Sequence, residues 1–231
     1  MLGILGGMGP AATVSFLAKI IALTPASRDQ EHIPMIVANL PQIPDRSSAI
    51  LGTGPDPLPS LLHGIAVLNE AHVGLIAIPC NSSHYWYDDM TAASAAPLLH
   101  IARVAVAAIP TCTGPVAVLA TRGLVKAAIY QRALESAGLR YLLPDDDEQD
   151  HVDGAIRDVK GGELPGGGCH LQNALDHMVE RGASAALLAC TELPLAAEYI
   201  QGTPLKLVDT SLELARACVN HAVEHGWNRP T

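Results

Sequence analysis

The 231-residue chain predicts an α/β protein of two weakly similar halves, each built on a parallel sheet. Three observations predict it. Short, continuous apolar runs alternate with amphipathic stretches, the pattern of parallel strands covered by helices on both faces. A strand–turn–helix unit opens each half: Gly3-Ile4-Leu5-Gly6-Gly7 resembles Val116-Ala117-Val118-Leu119-Ala120. Later in each half an apolar run ends on a cysteine, Cys80 and Cys190, followed by hydrogen-bonding residues.

Taken in order, the first strand is expected at residues 2–5. Gly6-Gly7-Met8-Gly9-Pro10 then opens a helix over 11–22, with Pro10 at an early helical position. Gly7-x-Gly9-x-x-Ala12 fits a loose dinucleotide fingerprint, but no acidic residue ends the second strand; Asp29 and Glu31 precede it. Close approach of the backbone to a small anionic substrate at a helix N-terminus is the better use. Strand two, 35–39, runs into an extended polar loop over 39–48, stiffened by Pro41 and Pro44. A helix over 57–71 leads to strand three, 75–79, and Cys80. Residues 110–115 cross to the second half. There the expected elements are a strand at 116–120, a helix at 124–137, a helix at 172–181, a strand at 185–189 ending at Cys190, a strand at 205–208 and a helix at 210–225 that packs back on the first half. Residues 144–150, acidic, and 161–168, glycine-rich, are expected as solvated loops. The domains are then 1–110 plus 208–231, and 111–207. Matching Leu5 with Leu119 and Cys80 with Cys190 gives offsets of 114 and 110. The near equality points to a duplicated βα unit, with chance likeness between apolar strands as the alternative.

Composition narrows the function. There are 14 Lys and Arg against 23 Asp and Glu, a formal charge of −9, which argues against nucleic acid or an anionic membrane as partner. Apolar residues make up 49% and aromatics only 3%, so aliphatic side chains must fill the core. Five cysteines without a CxxC pair argue against a disulfide framework or a zinc site. Residues 1–22 lack a basic leader, and no run suits a membrane span. A cytoplasmic location with reduced thiols is the expectation.

Cys80 and Cys190 carry the chemistry. A sulfur at a helix N-terminus meets partial positive charge and free N–H groups, which favour thiolate. Asn81, Ser82 and Ser83 follow the first thiol, and Thr191 and Glu192 the second. One such cysteine alone reads as a small buried hydrophobe; two in matched settings read as one site with a sulfur on each side. Cys112, Cys169 and Cys218 have no comparable setting and are given structural or neutral roles. His84, four residues beyond Cys80, is assigned a tuning role, with a structural histidine or a Cys-His hydrolase as alternatives. Arg46 is the best candidate for a bidentate carboxylate clamp, against a surface arginine paired with Asp45. Lys160, beside the glycine-rich stretch, is the second cation.

Together these stretches resemble the aspartate/glutamate racemase family of cofactor-independent amino-acid racemases, closest to its aspartate racemase branch. The carriers are Gly6-Gly7-Met8-Gly9-Pro10, Asn39-Leu40-Pro41-Gln42-Ile43-Pro44-Asp45-Arg46, Pro79-Cys80-Asn81-Ser82-Ser83-His84, Ile129-Tyr130-Gln131 and Cys190-Thr191-Glu192-Leu193-Pro194-Leu195. The resemblance implies two α/β domains related by a pseudo-twofold axis with the active site in the cleft between them, and a homodimer. It implies two-base chemistry with no cofactor and no metal: one cysteine removes the α-proton and the other reprotonates the opposite face. Cys80 and Cys190 match the catalytic positions, and Arg46 and Lys160 positions that bind carboxylates. Asn81, Ser82, Thr121 and Thr191 match positions that hold substrate; Met8 and Gly9 line the site; Ser83 and Glu192 complete the expected contacts. Ser82 stands where Thr is common, and Trp86 where Tyr or Phe is usual. The implied activity is interconversion of L- and D-aspartate or glutamate. Alternatives are a maleate isomerase or hydantoin racemase, or a non-catalytic binding protein for acidic metabolites.

Overall fold

The computed structural model describes residues 1–111 and 113–229, so Cys112 lies outside the described residues. Two parallel sheets form the frame. The first has the order β2 (Met35–Asn39), β1 (Leu2–Gly6), β3 (Leu75–Ala77). The second has the order β5 (Tyr141–Leu142), β4 (Val116–Leu119), β6 (Ala185–Leu188), β7 (Lys206–Asp209). In each sheet the opening strand pairs with the strand that leads to the cysteine. Ile4 faces Ala77 and Val118 faces Leu187. These pairs are related by the two offsets read from the sequence, so both halves share one register.

The apolar runs face helices on both sides. Ala117, Leu119, Ala186 and Leu188 pack on α8 (Asp146–Gly161) and α9 (Leu164–Glu180). The intervening Val116, Val118, Ala185 and Leu187 pack on α5 (Ile101–Ala107), α6 (Arg122–Ala127) and α7 (Ile129–Ser136). Period-two alternation between two covered faces explains why these strands carry no polar face. In the first half, Leu5 and Ile76 pack on α3 (Leu58–Glu70), and Leu2 and Ile4 on α1 (Pro10–Leu23) and α11 (Thr210–Glu224). The chain's one phenylalanine, Phe16, is fully buried there.

Four expectations need correction. The acidic 144–150 stretch is a helix start. Asp145 caps α8 by accepting from Glu148 N at 3.0 Å, and Glu148 returns a bond to Asp145 N at 2.7 Å. Acidic residues complement the partial positive charge of a first turn. The 161–168 stretch is mostly helical too. Gly162 is the left-handed cap of α8, and a Cβ on Gly168 would come within 2.5 Å of Tyr199 Cβ. Gly166, Gly167 and Gly168 sit at close contacts with Asp158, Val159 and Tyr199. The helix expected at 124–137 breaks at Ala128, which adopts φ 55° between α6 and α7. The break is followed inward by Tyr130 and Gln131, and Gln131 Nε2 donates to Val125 O at 2.7 Å. Last, the polar loop over 39–48 ends in a helix, α2 (Arg46–Leu51), capped by Asp45. Among the described residues, no helix is long and apolar enough to cross a membrane.

Candidate active site

Both cysteines sit just past the carboxyl ends of their strands, the edge at which parallel α/β sheets hold ligands. They line one cavity. The first half contributes Met8, Asp45, Arg46, Cys80, Asn81 and Ser82; the second contributes Thr121, Lys160, Cys190, Thr191 and Glu192. About 20 Å³ is open inside it, room for a water or two. Beside it lies a hollow of about 590 Å³ that shares Asp45, Arg46, Lys160 and Glu192 and adds Gly7, Gly9 and Ile43.

The glycine turn after β1 brings Met8 to the cavity. Gly7 has φ 95°, and a Cβ there would lie 2.5 Å from the backbone carbon of Leu40. Only glycine fits that conformation and that approach. Thr13 ties the turn, accepting from Gly7 N at 2.9 Å and donating to Gly9 O at 2.9 Å. A Cβ on Gly9 would stand 3.1 Å from Glu192 Oε1, so the turn abuts the second half.

Arg46 opens α2 and is 9% exposed. It donates to Ile43 O at 3.1 Å, Pro44 O at 3.0 Å and Met8 O at 3.2 Å. Its Nε is buried without a partner. No ion pair joins it to Asp45, whose carboxylate accepts from Ser48 N at 2.7 Å; the reading of Arg46 as a surface arginine paired with Asp45 is therefore overturned. Burial works against the guanidinium charge, but Cys80, Asp45 and Glu192 outweigh it and hold its pKa above the ordinary value. Lys160 behaves likewise: burial opposes its charge, and Glu192, Cys190 and Asp45 overcome that.

The two thiols have different surroundings. The Cys80 carbonyl accepts from Ser83 Oγ at 2.7 Å and lies 2.9 Å from His84 Nδ1. Asn81 is fixed from two sides: it donates to Thr210 Oγ1, at the start of α11, at 3.1 Å and accepts from the hydroxyl of Tyr130 on α7. Cys190 Sγ donates to Glu192 Oε2 at 3.0 Å, and Glu192 is 4% exposed. Burial first, and then the Glu192 charge, push the Cys190 thiol well above its ordinary pKa, with Lys160 opposing. Bonds also cross between the halves: Ser82 Oγ and Thr121 Oγ1 pair at 3.3 Å, and Gly123 N donates to Ser47 Oγ at 3.0 Å.

Of the residues expected at a site, ten meet in this cavity: Met8, Arg46, Cys80, Asn81, Ser82, Thr121, Lys160, Cys190, Thr191 and Glu192. Gly9 lines the adjoining hollow. Ser83 and His84 lie behind Cys80 and hold its carbonyl instead of facing the cavity. Sequence reasoning gave no role to Asp45 or Ser47, which line the cavity, or to Tyr130 and Thr210, which position Asn81. Among the described residues no group of three or more His, Cys, Asp or Glu side chains is placed to hold a metal ion.

Residues 5–218 match the model of the Asp/Glu/Hydantoin racemase family. The chain is 29% identical over 227 residues to a protein of Bacillus subtilis (strain 168) described as the broad specificity amino-acid racemase RacX, covering 95% of this chain and 97% of that one. The solved Picrophilus torridus aspartate racemase superposes with a TM-score of 0.85 at 27% identity, covering 98% of each chain. A glutamate racemase from Francisella tularensis in complex with D-glutamate shares the fold, with a TM-score of 0.71 at 16% identity over all of this chain and 83% of that one.

Proposed function

The chain belongs to the Asp/Glu/Hydantoin racemase family, an amino-acid racemase, and on that premise we propose that it interconverts L- and D-aspartate, or glutamate, by two-base proton transfer between Cys80 and Cys190. The observation that carries this reading is the single cavity lined by both cysteines, by Lys160 and by Arg46 with its unpartnered Nε. Cys190 holds its proton toward Glu192, and burial and the Glu192 charge favour its thiol form. In one direction the Cys80 thiolate takes the α-proton, and the Cys190 thiol gives its proton to the opposite face. The reverse direction exchanges these roles. Arg46 and Lys160 hold substrate carboxylate and stabilise the negative charge that develops when the α-proton leaves. Asn81, Ser82, Thr121 and Thr191 supply the remaining polar contacts. The enzyme works without a cofactor, as a cytoplasmic homodimer; sizing in solution tests the last point.

A wider substrate range is the second reading, favoured by the hollow of about 590 Å³ beside the cavity. Asp45 and Glu192 balance the two cations there, which suits side chains other than carboxylates.

The test is exchange of the α-hydrogen in deuterium oxide, followed together with optical rotation, for both enantiomers of aspartate, glutamate and a panel of other amino acids. Cys80→Ala and Cys190→Ala should each lower racemisation by about 10²–10⁴-fold, the usual worth of a positioned acid or base. Near-wild-type turnover in Cys190→Ala would rule out the two-base scheme.

A further inference from the structure

A second cavity, of about 580 Å³, shares no lining residue with the catalytic one. One wall comes from the turn over 82–86, α4 (Tyr87–Ala93) and α5, with His84, Tyr87, Asp88 and Arg103. The other wall is α7, with Ile129, Arg132 and Ser136. Both halves of the chain therefore build it. Arg103 and Arg132 are exposed, and neither has a carboxylate within 4 Å among the described residues. In a chain with 23 acidic and 14 basic residues, two guanidinium groups facing one hollow without acid partners is an excess of positive charge where the average is negative. Asp88 lines the same hollow and is paired with neither.

The floor is aromatic. The Arg103 guanidinium lies 5.5 Å from the centre of the Tyr87 ring, an arrangement that orients its N–H edge while leaving those donors free. Tyr87 stands 4.6 Å from His100 and stacks on His84 at 6.0 Å. Burial, and then the charges of His84 and Arg103, hold His100 down to a pKa of about 3, so its ring is an uncharged surface at neutral pH.

We propose that this hollow is a second ligand site, for a small anion carried on a planar ring: Arg103 and Arg132 take the anionic group, and the ring lies against Tyr87 and His100. Occupancy couples to the catalytic site by two routes. His84 runs from the floor of the hollow to Cys80, with Nδ1 2.9 Å from the Cys80 carbonyl and Nε2 3.3 Å from the Leu99 carbonyl. A ligand held between α5 and α7 also ties the two halves together, whereas the catalytic cavity, open to about 20 Å³, has to widen to admit an amino acid. A ligand here therefore slows turnover without competing for the substrate's own contacts.

Binding at the hollow is independent of the proposed racemase chemistry, and only the coupling rests on it, so binding is measured separately from racemisation and failure of one is distinguishable from failure of the other. Adenosine monophosphate, benzoate and inorganic phosphate are titrated calorimetrically into the full chain and into an R103Q/R132Q variant. Both arginines are exposed, and unchanged thermal unfolding checks the fold. Binding of adenosine monophosphate alone identifies a phosphate-bearing ligand and binding of benzoate alone a carboxylate; either supports the site if affinity falls by about tenfold for each arginine removed. Substrate turnover in the absence of anion should be unchanged in the variant, and inhibition by the anion should disappear. No binding, binding that the variant retains, or inorganic phosphate binding as tightly as adenosine monophosphate overturns the proposal. A variant that shifts from dimer to monomer with no anion bound assigns the hollow to a second copy of the chain and overturns it equally. Binding that leaves turnover unaffected overturns the coupling.

Discussion

Replacing Arg46 by lysine separates what that residue does for the fold from what it does for a substrate. The substitution keeps one positive charge and discards the planar fork. Arg46 now satisfies three carbonyl oxygens, those of Ile43, Pro44 and Met8, and keeps one buried donor, Nε, in reserve. A shorter ammonium group reaches one or two of those carbonyls and leaves the others bare. Each buried acceptor without a partner costs about 1–3 kcal/mol, which water admitted to the gap partly restores, so a loss of about 2–3 kcal/mol is expected. For a chain of this size that lowers Tm by roughly 5–10 °C. The functional loss is separate. A charge-assisted bond to a substrate carboxylate is worth about 1.5–3 kcal/mol, which is roughly a 10- to 150-fold fall in kcat/KM. It should be carried mainly by KM, because the carboxylate is bound before and during proton transfer. Differential scanning fluorimetry gives the first number, and polarimetry with L-aspartate gives the second. If Tm falls as expected while kcat/KM stays within threefold, Arg46 is a structural buttress and the clamp assigned to it is wrong.

Glu192→Gln removes the carboxylate that, after burial, does most to raise the Cys190 thiol. Alkylation of Cys190 by iodoacetamide near pH 8, followed on its own peptide by mass spectrometry, should rise several-fold, up to about tenfold; an unchanged or slower rate would show that Glu192 does not hold the proton there. Acid should weaken the fold through two histidines, the buried His84 and the half-buried His100. Burial lowers both His84 and His100, so below pH 6.5 the unfolded chain binds more protons than the folded one, and stability falls as pH drops from about 6.5 toward 3. For His100 the full linkage from pH 7 to 5 would be about 2 kcal/mol, which its partial exposure cuts to about 1 kcal/mol. His100→Asn keeps a residue able to cap α5 and should flatten the pH dependence of thermal unfolding by that amount; the same slope in the variant would contradict the assignment.

The central strands β1, β3, β4 and β6 were legible because burial on both faces leaves an unbroken apolar signal; the edge strand β5, two half-buried residues long, carries no such signal and was not expected. The helices fared less well, for identifiable reasons. Asp145 and Glu148 form a capping box, a signal present in the sequence but outweighed by the run of acids around it. The glycines at 166–168 resembled a flexible loop because glycine at a tight helix contact and glycine in a loop are the same letter. Arg46 stands out as a cation beside prolines, but its burial also depends on the Met8 carbonyl, brought from 38 residues away to join those of Ile43 and Pro44, which no local pattern reports. Tyr130 and Thr210 reach Asn81 across 49 and 129 residues, beyond any motif.

Duplication alone would give two equivalent thiols, and equivalence would be a defect in a two-base site. If both were thiolates, no proton would be available for the far face; if both were thiols, nothing would remove the first proton. The proposed scheme needs a proton held ready for the far face, and the differences between the halves bear on where it is held. After Cys80 comes Asn81, a neutral residue tied down by Tyr130 and Thr210, and the nearby charge is the cation Arg46. After Cys190, two residues on, comes Glu192, which accepts the S–H bond and sets a negative charge against thiolate. The matched strands place the two sulfurs at corresponding strand ends, and the side chains around them differ. Lys160, held charged by Glu192 and Cys190, opposes the effect of Glu192, since its positive charge favours the thiolate form of Cys190.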